Sequence, residues 1–263
     1  MGKRERYEPG TFSWVDLATS DPEDAKRFYG DLFGWEPEDM PVPGGAPYTM
    51  LRLDGDDVAA LYAQPAERRE QGIPPSWLSY VTTDDADATA ARASELGGTV
   101  HAEPFEVMEA GRMAVIADPT GAILLAWQPR GMIGAARVND PGCLTWNELA
   151  TGDVGAATRF YSGLFGWEIE AMDTGGGPEY SVIRLDGRSN GGIRALDEQQ
   201  GGMVPSHWLP YFTVASCDGA TARVSELGGR TLAAPMDVPQ GRIAAVGDRQ
   251  GAAFAVFEGE VDD

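Results

Sequence analysis

Lysine, histidine and cysteine are scarce in this 263-residue chain. Lys3 and Lys26 are the only lysines, and there are two histidines, His101 and His207, and two cysteines, Cys143 and Cys217. Even with its arginines the chain carries 20 basic residues against 41 acidic ones, a net charge of −21. A phosphate backbone needs basic partners, so nucleic acid is excluded as a partner. An anionic membrane surface is excluded for the same reason. The acidity reads as a solvated face that keeps the protein dispersed. The cysteines form no C-x-x-C pair, so no disulfide framework is expected, and a reducing, cytoplasmic home fits. No apolar run approaches the ~18 residues of a membrane helix. The opening MGKRERYEPG carries no apolar stretch behind its charges, so no signal peptide is expected. Nucleophile-elbow, Walker and dinucleotide motifs are also missing. The glycines at 175–177 precede a strand with no lysine or helix to hold phosphate.

What is present is a duplication. FYGDLFGWE at Phe28–Glu36 returns as FYSGLFGWE at Phe160–Glu168, and WVDLATSD from Trp14 as WNELATGD from Trp146. YTMLRLDG from Tyr48 matches YSVIRLDG from Tyr180, and SELGG recurs from Ser94 and Ser225. These matches keep their order, so the chain is two copies of one unit of about 130 residues. The expected domains are 1–130 and 131–263.

Within the first copy, Phe12–Ala18 has strand character. Asp21 supplies an N-cap oxygen, Pro22 takes the first helical position, and Glu23 and Asp24 fill an acidic first turn. Ala25, Phe28, Tyr29 and Leu32 recur at helical spacing, and Gly34 is placed to end the helix. Strands are expected at Tyr48–Leu53 and Val58–Ala63, then a linker over Gln64–Ser76 and a strand at Trp77–Thr83. Asp85 caps a second helix ending at Gly97–Gly98. Strands follow at Thr99–Val107, Arg112–Ala117 and Ala122–Gln128, the last two joined by Asp118-Pro119-Thr120-Gly121. Each half is thus two β-α-β-β-β modules, an α+β chain of four modules in all.

The helix text D-x-E-D-A-x-x-F-Y-x-x-L-F-G-W, the L-G-G after the second helix and the D-P-T-G-A hairpin together resemble the vicinal oxygen chelate superfamily. That group includes glyoxalase I, bleomycin-resistance proteins and extradiol dioxygenases. The likeness spans Phe12–Gln128 and Leu144–Glu258. It implies that paired modules curl into two open β-barrel-like cups, each holding a small organic ligand. Relatives often build a cup across two chains, so a homodimer stays open, although the duplication can meet that need within one chain.

The superfamily's enzymes place a divalent metal in the cup, held by His, Glu or Gln from the first and last strands of each module. Carried onto this sequence, those positions fall on Trp14 and Trp146, at or next to Trp77 and Trp208, near Leu125 and Ala255, and near Leu61 and Arg194. Indole offers only an N–H and leucine no lone pair, so the resemblance here implies neither metal nor other cofactor. Strand alternation places Asp16 beside Trp14 and Glu148 beside Trp146 on one face. Asp16 and Glu148 are candidate bases or hydrogen-bond anchors, against the plainer role of a strand acid tied to backbone or to Arg112 or Arg242. Trp14, Trp77, Trp146 and Trp208, with Tyr48 and Tyr180, are candidate ligand walls, against a plain packing role. His207 is a candidate catalytic partner for Glu148, which favours the second cup as the working one; His101, without a counterpart, reads as structural or exposed. The matched loops 41–47 and 173–178 are candidate lids, or simple connections.

Three functions follow. The first is a metal-independent lyase, isomerase or cyclase working by proton transfer. The second is a ligand-sequestering resistance protein. The third is a metal-dependent glyoxalase or dioxygenase with relocated ligands.

Overall fold

The computed structural model describes residues 2–172, 179–196 and 204–260. Their elements confirm the four-module plan. The first half runs β1 (Phe12–Thr19), α1 (Pro22–Phe33), β2 (Glu36–Met40), β3 (Tyr48–Leu53), β4 (Asp56–Ala63), a short helix α2 (Ala66–Glu70), β5 (Ser76–Thr82), α3 (Ala86–Glu95), β6 (Thr99–Val107), β7 (Gly111–Ala117) and β8 (Ile123–Pro129). The second half repeats it with β9 (Leu144–Thr151), α4 (Val154–Phe165), β10 (Glu168–Met172), β11 (Tyr180–Leu185), β12 (Arg188–Ala195), β13 (His207–Thr213), α5 (Cys217–Glu226), β14 (Arg230–Val238), β15 (Gly241–Gly247) and β16 (Ala253–Gly259).

Local chemistry sets the helix ends. Asp21 accepts from the Asp24 N–H and Asp153 from the Ala156 N–H, so each repeat opens its first helix with the same side-chain cap. Gly34 and Gly166 close those helices at φ 77° and 71°, in the left-handed region that glycine enters without a steric penalty. The D-P-T-G hairpin is held by Asp118, whose Oδ1 accepts from the Thr120 and Ala122 backbone N–H groups.

Each half forms one eight-stranded sheet, in the order β2-β3-β4-β1-β5-β8-β7-β6 and its counterpart β10-β11-β12-β9-β13-β16-β15-β14. The two modules of a half meet along an antiparallel pair, β1 with β5 and β9 with β13. Each sheet therefore has two faces with different occupants. One face packs under the helices against the other half. Tyr29, Phe33 and Trp35 of the first half share a core with Phe212, Phe254 and Val256 of the second, and Phe160, Tyr161 and Trp167 share another with Phe12, Ile116 and Leu124. The opposite faces form the two cups.

Polar bonds cross the same seam as pseudo-symmetric copies. The Tyr29 hydroxyl donates to Asp248 at 3.0 Å and accepts from Trp77 Nε1 at 3.1 Å. Tyr161 accepts from Trp208 Nε1 at 2.9 Å and bonds Asp118. Trp77 and Trp208 therefore stand in the seam, not in the cups, contrary to their expected place. Both faces of β5 and β13 are buried, so hydrophobic alternation alone did not set the phase of these strands.

Candidate functional site

The first cup is built around Asp16. On β1, Trp14 and Asp16 face inward together; across the sheet Asp16 sits beside Ala60 of β4 and Leu78 of β5, and Trp14 beside Tyr80. Trp14 Nε1 donates to the Tyr48 hydroxyl at 3.1 Å, and that hydroxyl donates to Asp16 Oδ2 at 3.1 Å. The Tyr80 hydroxyl donates to the same oxygen at 2.6 Å. Asp16 Oδ1 is buried and has no hydrogen-bond partner among the described residues. Tyr62 stacks on Tyr48 with ring centroids 6.2 Å apart, and both rings are half-buried.

Among the described residues no cation is bonded to this carboxyl. Burial pushes its pKa up to about 7, and the hydrogen bonds from Tyr80 and Tyr48 only partly oppose that. The same burial, with the Asp16 charge, holds the Tyr48 and Tyr80 phenols well above their usual range, so they remain donors.

One end of the cup is closed by other segments. The Ala135 N–H donates to the Ser13 carbonyl, the Ala136 N–H to that of Asp57, and Trp127 Nε1 to that of Met132. The Tyr7 hydroxyl bonds the Ala135 carbonyl at 2.6 Å. Trp14 is left only 2% exposed.

The second cup repeats this frame with a different charge. Trp146 Nε1 donates to the Tyr180 hydroxyl at 3.1 Å. Tyr180 and Tyr211 hydrogen-bond Glu148, as Tyr48 and Tyr80 bond Asp16. Where the first cup has Tyr62, however, the second has Arg194, whose Nε donates to Glu148 Oε1 at 2.8 Å. Trp146, Tyr180 and Arg194 are all half-buried, so this wall reaches solvent more than Trp14 does. Gly192 makes room for it: a Cβ there would meet the Tyr180 hydroxyl at 2.0 Å.

Several expectations change. Leu61 packs under the helices, and the cup position is its neighbour Tyr62, so Arg194 and Tyr62 are the true counterparts. Tyr80 and Tyr211 line the cups in place of Trp77 and Trp208, and the sequence reading missed them. His207 does not pair with Glu148 among the described contacts. The β9–β13 register sets Leu209 opposite Glu148 and His207 opposite Ala150, and the His207 Nδ1 lies 2.9 Å from the Pro205 carbonyl. The advantage expected for the second cup as the seat of a base does not hold, because its carboxylate is held by Arg194. Arg112 and Arg242 serve other acids, Asp87 with Glu106 and Asp218 with Asp237. His101 is exposed on β6. The loop 173–178 lies outside the described residues.

The donors at the cup walls do not fit a divalent cation. Such an ion wants several imidazole or carboxylate ligands converging on one point. Among the described residues the carboxylates of the cup walls, Asp16 and Glu148, are already bonded by phenols, and Glu148 also by a guanidinium. Among the described residues no three His, Cys, Asp or Glu side chains converge. A shallow cleft of about 350 Å³, lined by residues including Pro9, Asp85, Arg92 and Phe165, lies outside the cups and contains none of the candidate cup residues.

Comparison with known proteins places both halves. Residues 11–124 match the glyoxalase/bleomycin resistance protein/dioxygenase superfamily, and residues 146–257 a glyoxalase-like domain. A Mycobacterium tuberculosis protein named putative glyoxylase CFP32 is 41% identical over 260 residues, covering 98% of each chain. The anthracycline biosynthesis protein DnrV of Streptomyces peucetius is 37% identical over 264 residues, covering 96% of this chain and 94% of that one. In fold, the chain is similar to the Mn(II)-bound glyoxalase of Novosphingobium aromaticivorans, with a TM-score of 0.67 at 14% identity, covering 100% of this chain and 85% of that one. The 2,3-dioxygenase LapB of Pseudomonas sp. KL28 superposes with a TM-score of 0.65 at 13% identity, covering 100% and 95%.

Proposed function

Since this chain belongs to the glyoxalase/bleomycin resistance protein/dioxygenase superfamily, we propose that it takes small organic molecules into its cups and moves a proton on one of them with Asp16, using no metal. The observation that carries this reading is the state of Asp16: a carboxyl with a pKa of about 7, one oxygen bonded by two phenols and the other without a partner. A general base works best when its pKa lies near the operating pH. Strong displacement by burial inside a concave, aromatic wall is also a recurrent mark of working groups.

In this mechanism each residue has one task. Asp16 Oδ1 takes a proton from a carbon or oxygen acid of the ligand. Tyr80 and Tyr48 hold Oδ2 and, through it, the orientation of the carboxyl. Trp14 fixes Tyr48 by its N–H and supplies a flat wall, as does Trp127, with Met50 packed beside them. Tyr48 and Tyr62, the half-buried pair, are cup residues that reach solvent. Each phenol has one O–H and Tyr48 and Tyr80 give theirs to Asp16 Oδ2, so the enolate or related anion left by proton loss would draw on the Tyr62 hydroxyl. Isomerisation, elimination and ring closure all fit such a step.

The ligand best suited to these walls is flat and largely apolar, since indoles and phenols stack on planar rings. A polycyclic aromatic compound of the kind implied by the name of the anthracycline biosynthesis relative has that shape. The named glyoxylase relative suggests a smaller, dicarbonyl ligand instead. The test is direct. The purified chain is incubated with a hydroxyanthraquinone and with methylglyoxal, each with chelator and with added Mn(II), and proton exchange into deuterated solvent is followed by mass spectrometry. Exchange in chelator that disappears in Asp16→Asn supports the reading. Exchange that needs Mn(II), or that survives Asp16→Asn, refutes it.

A second reading, ligand sequestration without turnover, is favoured by one observation in the other cup. There the carboxylate is bridged to Arg194 and is not left as a lone base. Binding of the same compounds with no exchange at all would select it.

A further inference from the structure

The two cups share a frame but differ in charge where Tyr62 stands in the first and Arg194 in the second. We propose that the second cup is a binding site for an aromatic molecule carrying an ionised oxygen, a carboxylate or an acidic enol or phenol, with Arg194 as its anchor, whereas the first cup admits only uncharged molecules. The proposal rests on reading the cups as small-molecule sites, but not on proton transfer at Asp16.

The argument begins with charge. An anion entering the first cup would come to lie beside Asp16 in a wall of phenols, indoles and apolar groups. Arg68 acts on Tyr62 through space, but no guanidinium is bonded at Asp16 among the described residues, and taking an unpaired charge out of water is costly. In the second cup a guanidinium already stands in the wall, 31% exposed at its side chain, while Glu148 beneath it is 8% exposed. A guanidinium has five N–H donors in a planar fork. Arg194 uses Nε for Glu148 and Nη1 for a long 3.4 Å contact to the Ala195 carbonyl, so the described bonds leave donors over.

Holding one carboxylate does not stop an arginine in this protein from holding a second. Arg137 bonds Asp54 and Asp56 together, Arg112 bonds Asp87 and Glu106, and Arg242 bonds Asp218 and Asp237. Arg194 in the described structure has Glu148 in one such place, and the ligand oxygen would take the other. Glu148 and its two phenols then act as positioning residues that hold the fork toward the cup. Trp146, half-buried on the same face and fixed by its bond to Tyr180, is the flat wall on which the aromatic body would lie.

The test uses the intact chain and two probes, 1-naphthoate and its uncharged methyl ester, followed by calorimetry and by tryptophan quenching. The proposal expects the acid to bind at least tenfold more tightly than the ester. Trp146→Phe should remove the quenching caused by the acid, and Trp14→Phe should not. Arg194→Gln should weaken the acid at least tenfold and change ester binding little, with Arg194→Lys intermediate because it keeps charge but not the fork. Equal binding of acid and ester, or an unchanged acid affinity in Arg194→Gln, would overturn the anion assignment alone. Failure of both probes to bind would overturn it together with the small-molecule reading of the cups. If Arg194→Gln does not fold, the acid-to-ester ratio in the unmodified chain decides, since an anchored anion must lose affinity as salt rises and an uncharged ester must not.

Discussion

Replacing Asp16 by Asn should change how stability depends on pH, and the sign follows from the displaced carboxyl. In the folded chain its pKa is about 7, against 3.8 for an ordinary aspartate. Between those values the folded state holds a proton that the unfolded state has released, so stability falls as pH rises through that window. The loss is absent below the ordinary value and complete above pH 7. Three pKa units at 1.36 kcal/mol each make the full cost of ionising this buried group about 4 kcal/mol. Asn cannot ionise, yet its amide oxygen can still accept from Tyr48 and Tyr80. Urea unfolding of both proteins at pH 5 and pH 8 isolates this group, because contributions common to both cancel in the difference. The variant should gain on the parent by about 2–3 kcal/mol between those two pH values. A difference that does not change with pH would refute the displaced carboxyl, and the proposed base would lose its physical ground.

Other outcomes follow from the seam and from the second cup. Tyr29→Phe strips Asp248 of its hydroxyl donor and Trp77 of its acceptor, and should cost about 1–3 kcal/mol by denaturant titration. Gly192→Ala places a methyl group against the Tyr180 hydroxyl and should turn that ring away from Trp146. A shift of Trp146 fluorescence with little loss of stability would report it. Residues 1–130 made alone should fail to show a cooperative thermal transition, while the whole chain should melt in one, because Tyr29, Phe33 and Trp35 are buried against the second half.

Much of the fold is legible in the text of the sequence. The caps Asp21 and Asp153 and the stops Gly34 and Gly166 are local signals that need no tertiary information, and the repeat doubles each of them. Edge strand β2 is harder to see: Glu-Pro-Glu-Asp-Met is exposed throughout and becomes a strand only by pairing with β3, so hydrophobic pattern has nothing to show. The cup carboxylates were found by counting two residues on from Trp14 and Trp146, although β1 is buried along its whole length. Tyr80 and Tyr211 were missed because β5 and β13 are apolar on both faces, and a slip of one residue exchanges the cup with the seam. The decisive contrast at Tyr62 and Arg194 was hidden by a similar slip to Leu61. Knowing the length of the second strand pair would not have repaired it, since only the observed register fixes which neighbour faces inward.

The placement of the shared core also bears on how such a molecule can change. Both halves bury their helices against one another, so an altered residue in that interior is felt on both sides at once. The cup residues cluster apart from it, in one separate group per half. Duplication here welded the copies where they must agree and left them independent on their far faces. Were the cups to take ligands as proposed, one exchanged side chain, Tyr62 or Arg194, would alter one of them and leave the other untouched.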